Sequence, residues 1–176
     1  LPWKRQDGKN ELQHQGCSGR SKKINSIITI RAKGCCRIDV AALFTGVRIM
    51  RRIGKFHKVS FERFVGDWKD SFPEMKEEEV KAVYENLSLP RRATAGSAGY
   101  DFFAPVSYTI KPGETVKIPT GIRVEMEQDW VLKCYPRSGL GFKYRLQLNN
   151  TVGIIDSDYF YSDNEGHIFA KLTNDS

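Results

Sequence analysis

Long hydrophobic runs are missing from this chain of 176 residues. Nowhere does it approach the roughly 20 consecutive apolar residues that a membrane-spanning helix needs. The nearest approach, Val40 to Val47, follows Arg37 in the manner of a signal core, but it begins far into the chain and is interrupted by Thr45 and Gly46. Neither a membrane span nor a signal is expected. Cysteine is scarce too: Cys17, Cys35 and Cys36 lie in the first part of the chain and Cys134 stands apart. Their spacing makes no Cys-x-x-Cys pair and no disulfide framework. Adding His14 brings four potential zinc ligands, at intervals that no familiar zinc module uses. A reduced protein of the cytoplasmic type is expected.

Positive charge is present overall, at a net +7, but it is unevenly shared. Residues 1–49 hold ten Lys/Arg against three Asp/Glu, whereas residues 50–176 hold eighteen of each. The basic character therefore belongs to the leader. A nucleic-acid-binding arm is one reading of such a leader. Interleaved aromatics are lacking there, with Trp3 and Phe44 its only ones, and this disfavours that reading. Methionine is absent before Met50. The leader, 1–49, is expected to be upstream translated sequence, disordered or poorly packed, with Ile27 to Ile30 its one clearly strand-like run.

From Met50 the patterning sharpens. Ile53 to Val59 alternates like a short strand, and Ser60 is placed to cap a helix whose apolar face is Phe61, Phe64, Val65, Trp68 and Phe72. Pro73 predicts the start of a second helix, with Glu74 and Glu77 to Glu79 near its positive end and Val80, Val83, Tyr84 and Leu87 inward. The aromatic stripe reads as packing. Residues 50–88 thus form a strand and a helical hairpin.

Residues 89–176 read as all-β. Short alternating runs, Tyr108 to Ile110, Thr115 to Ile118, Ile122 to Met126 and Trp130 to Tyr135, are separated by turn signals. Among these, Pro112-Gly113 suits the centre of a type II turn. A sandwich or barrel follows from strands this short and this regularly punctuated.

Chemistry concentrates between Pro136 and Tyr159. Pro136-Arg137-Ser138-Gly139-Leu140-Gly141 is a polar loop able to turn backbone N–H groups and one guanidinium toward an anion. Asn149-Asn150-Thr151 then turns into Val152-Gly153-Ile154-Ile155 and the cluster Asp156-Ser157-Asp158-Tyr159. A carboxylate closing an apolar strand suits a water-activating base. Upstream, Gly96-Ser97-Ala98-Gly99-Tyr100-Asp101 places another carboxylate after a small-residue turn. Taken singly, each of these is also an ordinary turn or a solvated strand end.

In this order and separation the three stretches resemble the first three signature motifs of the trimeric dUTP pyrophosphatase (dUTPase) family, from about residue 89 to the end. The resemblance implies a mainly β fold, a jelly-roll β-barrel assembled as a homotrimer, here preceded by the helical hairpin. It implies hydrolysis of dUTP to dUMP and pyrophosphate, by water attacking the α-phosphorus, which keeps uracil out of DNA. Asp156 matches the base. Arg137, Ser138 and Gly139 match the phosphate-binding loop. Asn150, Gly153 and Ile154 match the hairpin whose main chain reads uracil, and Tyr159 the ring beneath the deoxyribose. Asp101 matches the carboxylate that faces Mg²⁺ through water. Asp158 is expected to be structural and Lys143 solvated.

The pattern also departs from the family. Phe160 to Gly166 intervenes where Arg-Gly is usual and is expected to be a longer hairpin loop. The fourth and fifth motifs are not found before Ser176, so the barrel is expected to be C-terminally truncated. Three alternatives stay open: a dCTP deaminase of the same fold, a nucleotide-binding regulatory protein, and an inactive fragment. The Asp156 to Tyr159 cluster favours the pyrophosphatase over the deaminase.

Overall fold

The computed structural model describes residues 52–176 and the backbone of residues 23–33. Nine strands in these residues form three antiparallel sheets. The largest has the order β3-β1-β6-β8, from β1 (Lys23–Lys33), β3 (Gly99–Thr109), β6 (Val131–Pro136) and β8 (Gly153–Ile155). A second pairs β2 (Gly54–Lys58) with β5 (Ile122–Met126). The third has the order β4-β9-β7, from β4 (Thr115–Pro119), β9 (Phe169–Asn174) and β7 (Leu146–Leu148). The fold is mainly β, as the spacing of turn signals predicts. Gly113 takes a φ of +77°, the conformation its turn requires.

The leader differs from expectation where it is described. Residues 23–33, around the strand-like Ile27 to Ile30, pair with β3 on one side and β6 on the other, Thr29 standing opposite both Asp101 and Tyr135. A run of β-branched residues between two open strand edges can satisfy its backbone groups on both sides, which offsets the entropy of ordering it. The zinc set of His14, Cys17, Cys35 and Cys36, the apolar run 40–47 and Met50 all lie outside the described residues.

The helical hairpin forms as read, with one boundary corrected. Helix α1 (Phe61–Ser71) is capped by Ser60, whose hydroxyl accepts the Arg63 N–H at 3.2 Å. Helix α2 (Glu77–Glu85) begins after Lys76, not at Pro73, which opens the turn between the helices. The Glu79 carboxylate accepts the Lys76 N–H at 2.9 Å, so a capping bond sets the start four residues later. Phe64, Trp68 and Val80 are fully buried in the same apolar cluster as Phe102, Ile118, Ile168 and Leu172 of the β region. Hairpin and sheets therefore share one core.

Gly121, before β5, lies against the hairpin. Its φ is +72°, and a Cβ there would strike Leu87 Cδ1 and lie 3.1 Å from the Phe64 ring. Gly121→Ala is expected to destabilise the fold by about 2–4 kcal/mol, from left-handed backbone strain plus overpacking. A lowered urea midpoint would register it.

Candidate active site

The Arg137 to Gly141 stretch is not an open loop. Arg137 caps a short helix, α3 (Ser138–Tyr144), and its carbonyl accepts the Leu140 N–H at 2.9 Å. Three small or flexible residues (Ser138, Gly139, Gly141) allow so tight a turn immediately after β6. Ser138 and Gly139 are exposed in its first turn. The Arg137 guanidinium lies 3.8 Å from the Asp101 carboxylate, so the structure unites the first and second motifs. Asp101 stands in strand β3: its N–H donates to Arg91 O at 2.8 Å and its carbonyl accepts the Arg91 N–H at 3.3 Å.

The Asn150 to Gly153 turn carries backbone strain that no sequence pattern announced. Thr151 has a φ of +62°, and the Val152 N–H donates across it to Asn150 O at 2.6 Å. A β-branched residue in this region is an outlier, of a kind that clusters at functional sites. Gly153 follows because a Cβ there would meet Cys134 Cβ at 3.0 Å. Burial pushes the Cys134 thiol up to about 12.

Beyond β8 the chain enters a 3-10 helix, Ser157–Tyr161, and a turn, before β9 in another sheet. Phe160 to Gly166 is thus a crossing between sheets, which corrects the expected hairpin loop. Its turn is tied to the start of α1: Glu165 accepts the Ser60 hydroxyl at 2.6 Å and the Ser60 N–H at 2.9 Å. Burial would raise the Glu165 carboxyl, but these two bonds and the Arg123 and Arg63 charges outweigh it and hold it below its ordinary range.

This crossing borders an open cavity of about 620 Å³ lined by Ile154, Asp156, Asp158, Tyr159, Tyr161 and His167, among others. Asp156 precedes the 3-10 helix but makes no side-chain cap bond, so its exposed carboxylate is left to the cavity. Ile154 is 52% exposed beside it. Tyr159 is fixed: its hydroxyl donates to His167 O at 3.1 Å and accepts from Asn164 Nδ2 at 2.7 Å. His167, 0% exposed, sits 2.6 Å from Asp67 of α1. Sequence reading passed over Asp67, Asn164 and His167. A contact 100 residues apart leaves no periodic trace.

Burial holds the His167 imidazole below its usual range, against the opposing pull of Asp67. The unfolded chain therefore takes up that proton first, and stability rises with pH. Its contribution is complete above about pH 6.5, the unfolded histidine value, and declines as pH falls below it. Urea midpoints measured from pH 8 to 5.5 are expected to fall over the acid half of that range, and less in His167→Gln.

The register separates two halves of the predicted site. Cys134 faces Gly153 and Leu132 faces Ile155, so Arg137 and Asp156 lie beyond opposite ends of the β6–β8 ladder. They are about six residue positions apart, on the order of 20 Å along extended chain. Asp101, Arg137, Ser138, Gly139 and the Asn150 turn gather toward one end. Ile154, Asp156 and Tyr159 gather at the cavity. A mainly β protein with an arginine-led turn in one place and a carboxylate–tyrosine cavity in another is the class these features define.

Comparison with known proteins agrees with the motif order. The dUTPase family model matches residues 85–174. A deoxyuridine 5'-triphosphate nucleotidohydrolase of Lactococcus lactis is 43% identical over 99 residues, 54% of this chain and 66% of that protein. One from Shewanella baltica is 53% identical over 80 residues, 44% of this chain and 53% of that protein. The crystal structure of dUTPase from Streptococcus mutans aligns with a TM-score of 0.49 at 34% identity, covering 69% of this chain and 79% of that one. The chain belongs to the dUTPase family. It spans between about half and two thirds of the length of these curated relatives. Among the described residues no helix is long and apolar enough to cross a membrane.

Proposed function

We propose that this chain hydrolyses dUTP to dUMP and pyrophosphate, keeping uracil out of DNA in a cytoplasmic setting. The observation that carries the reading is the Asp156 carboxylate, free of any capping duty, at the rim of a cavity whose tyrosine is held by two hydrogen bonds. Asp156 would take the proton of the attacking water. Transfer at phosphorus otherwise needs positioning and charge neutralisation rather than covalent help. Arg137, with Ser138 Oγ and the Gly139 N–H, would hold the phosphate chain, since a guanidinium suits paired phosphate oxygens.

A single carboxylate such as Asp101, beside Arg137 and with its side chain 15% exposed, fits Mg²⁺ held through water. That ion keeps several waters and binds mainly to phosphates. It would supply charge neutralisation on the triphosphate. The strained main chain from Asn150 to Ile154 would pair with the uracil edge, and a mismatched base would leave buried groups unpaired. Tyr159 would close the space a 2′-hydroxyl needs.

The cavity's own ionisable side chains include Asp156 and Asp158, which repel a triphosphate. Arg137 at the far end of the ladder supports a homotrimer in which one copy's arginine serves another copy's cavity. The test is pyrophosphate release with Mg²⁺ from dUTP against dCTP, dTTP and UTP. Selective dUTP turnover supports the reading, whereas ammonia release from dCTP, followed in parallel, would replace it with the deaminase-like alternative. Mixing Arg137→Ala with Asp156→Asn protein should restore part of the turnover if sites are shared between copies.

A further inference from the structure

The His167 ring has one available tautomer. The Gly121 N–H can only donate, and it donates to His167 Nε2 at 2.8 Å, so Nε2 is unprotonated. The proton sits on Nδ1, 2.6 Å from Asp67 Oδ2, and the imidazole donates it to the carboxylate. The same residue's main chain reaches the cavity. His167 O accepts the Tyr159 hydroxyl at 3.1 Å, and the His167 N–H donates to Asn164 O at 3.1 Å, while Asn164 Nδ2 donates to that hydroxyl at 2.7 Å. Both partners of the Tyr159 hydroxyl thus belong to one short turn, and that turn is anchored by a buried ring whose two nitrogens are both engaged.

We propose that Asp67, acting through His167, is a positioning residue for Tyr159, so that helix α1 sets how strongly the site prefers a deoxyribonucleotide over a ribonucleotide. The proposal rests on the dUTPase reading for what Tyr159 touches. Helix α1 lies outside residues 85–174, the stretch the family model matches. Asp67 is not exchangeable for any polar residue on the helix surface: its side chain is 13% exposed and Arg63 is its other ionic partner, at 3.7 Å. Without the carboxylate, Nδ1–H is a buried donor lacking its acceptor, and the turn shifts to find another. A displacement of about 1 Å at a reacting group can cost on the order of 10²-fold, and here it would fall on the wall that excludes the 2′-hydroxyl.

The experiment compares kcat/KM for dUTP and UTP in the full chain with Asp67→Ala, Asp67→Asn and Val65→Ala. Asp67→Ala is expected to lower the dUTP-over-UTP preference by about tenfold or more, chiefly through a fall in KM for UTP. Asp67→Asn keeps an acceptor for Nδ1–H and should retain most of the preference. Val65→Ala loosens the same helix against the core without touching the ring, and should lower stability at unchanged preference. An Asp67→Ala protein that is less stable but equally selective would overturn the proposal. Histidine ¹⁵N spectra of the unaltered protein provide a readout that needs neither activity nor a folded variant: a protonated Nε2 on His167 sinks the relay. If the unaltered protein turns over no dUTP, the functional reading fails by itself. The relay is then judged by whether Asp67→Ala, and not Val65→Ala, moves the Tyr159 ring signals.

Discussion

Asp156→Asn is expected to lower kcat for dUTP by about 10²–10⁴-fold, the usual contribution of a positioned base. The melting temperature should stay where it was. Both halves of this expectation come from the same geometry. The carboxylate is exposed, and although its residue precedes a 3-10 helix it makes no capping bond, so an amide in its place removes a proton acceptor and little else. The neighbouring Asp158 also lines the cavity. Asp158→Asn should cost far less, because it sits inside the 3-10 helix rather than at the end of β8. Steady-state kinetics beside a thermal melt separates the cases. A large loss in Asp156→Asn accompanied by a falling melting temperature would mean that the carboxylate holds the turn together.

Trp68→Ala should cost about 3–5 kcal/mol, the range for deleting a large buried aromatic. Trp68 is 0% exposed, its ring lies 5.1 Å from Phe64 and 5.0 Å from Phe72, and its indole N–H reaches Met75 Sδ at 3.2 Å. The more telling result is the shape of the transition. With α1 buried in the same cluster as Phe102 and Ile118, fluorescence and far-ultraviolet dichroism should lose structure together in urea. An early, separate melting of helical signal would show the hairpin to be an independent unit.

Much of this was legible because it is local. The Ser60 cap, the Phe64 and Trp68 face and the left-handed Gly113 each announce themselves within a few residues. The three motifs were legible as words, and the family assignment follows from them. What they make in space was less so. PRSGLG reads as a loop because glycines discourage helix, yet the Arg137 carbonyl accepts the N–H groups of Leu140 and Gly141 and opens a short helix there. Pro73 reads as a helix start, but a capping bond from Glu79 chose another. The Asp67–His167 pair and the Glu165 tie to Ser60 join helix α1 and its cap to a turn that is 100 or more residues away in sequence. Single-sequence patterns carry no information about those. Residues 23–33 were read as part of a disordered leader because their strand pattern is short, and pairing on both sides decides otherwise.

The crossing from β8 to β9 joins two different sheets, and it is also where Asp156 and Tyr159 reside. It is one of four connections between those two sheets, and its residues line the cavity. A molecule filling the cavity touches Ile154 of β8 on one wall and Phe169 of β9 on another, and so braces the two sheets against sliding. The protection it confers against hydrogen exchange would then extend along both β6 and β4, well beyond the atoms it touches.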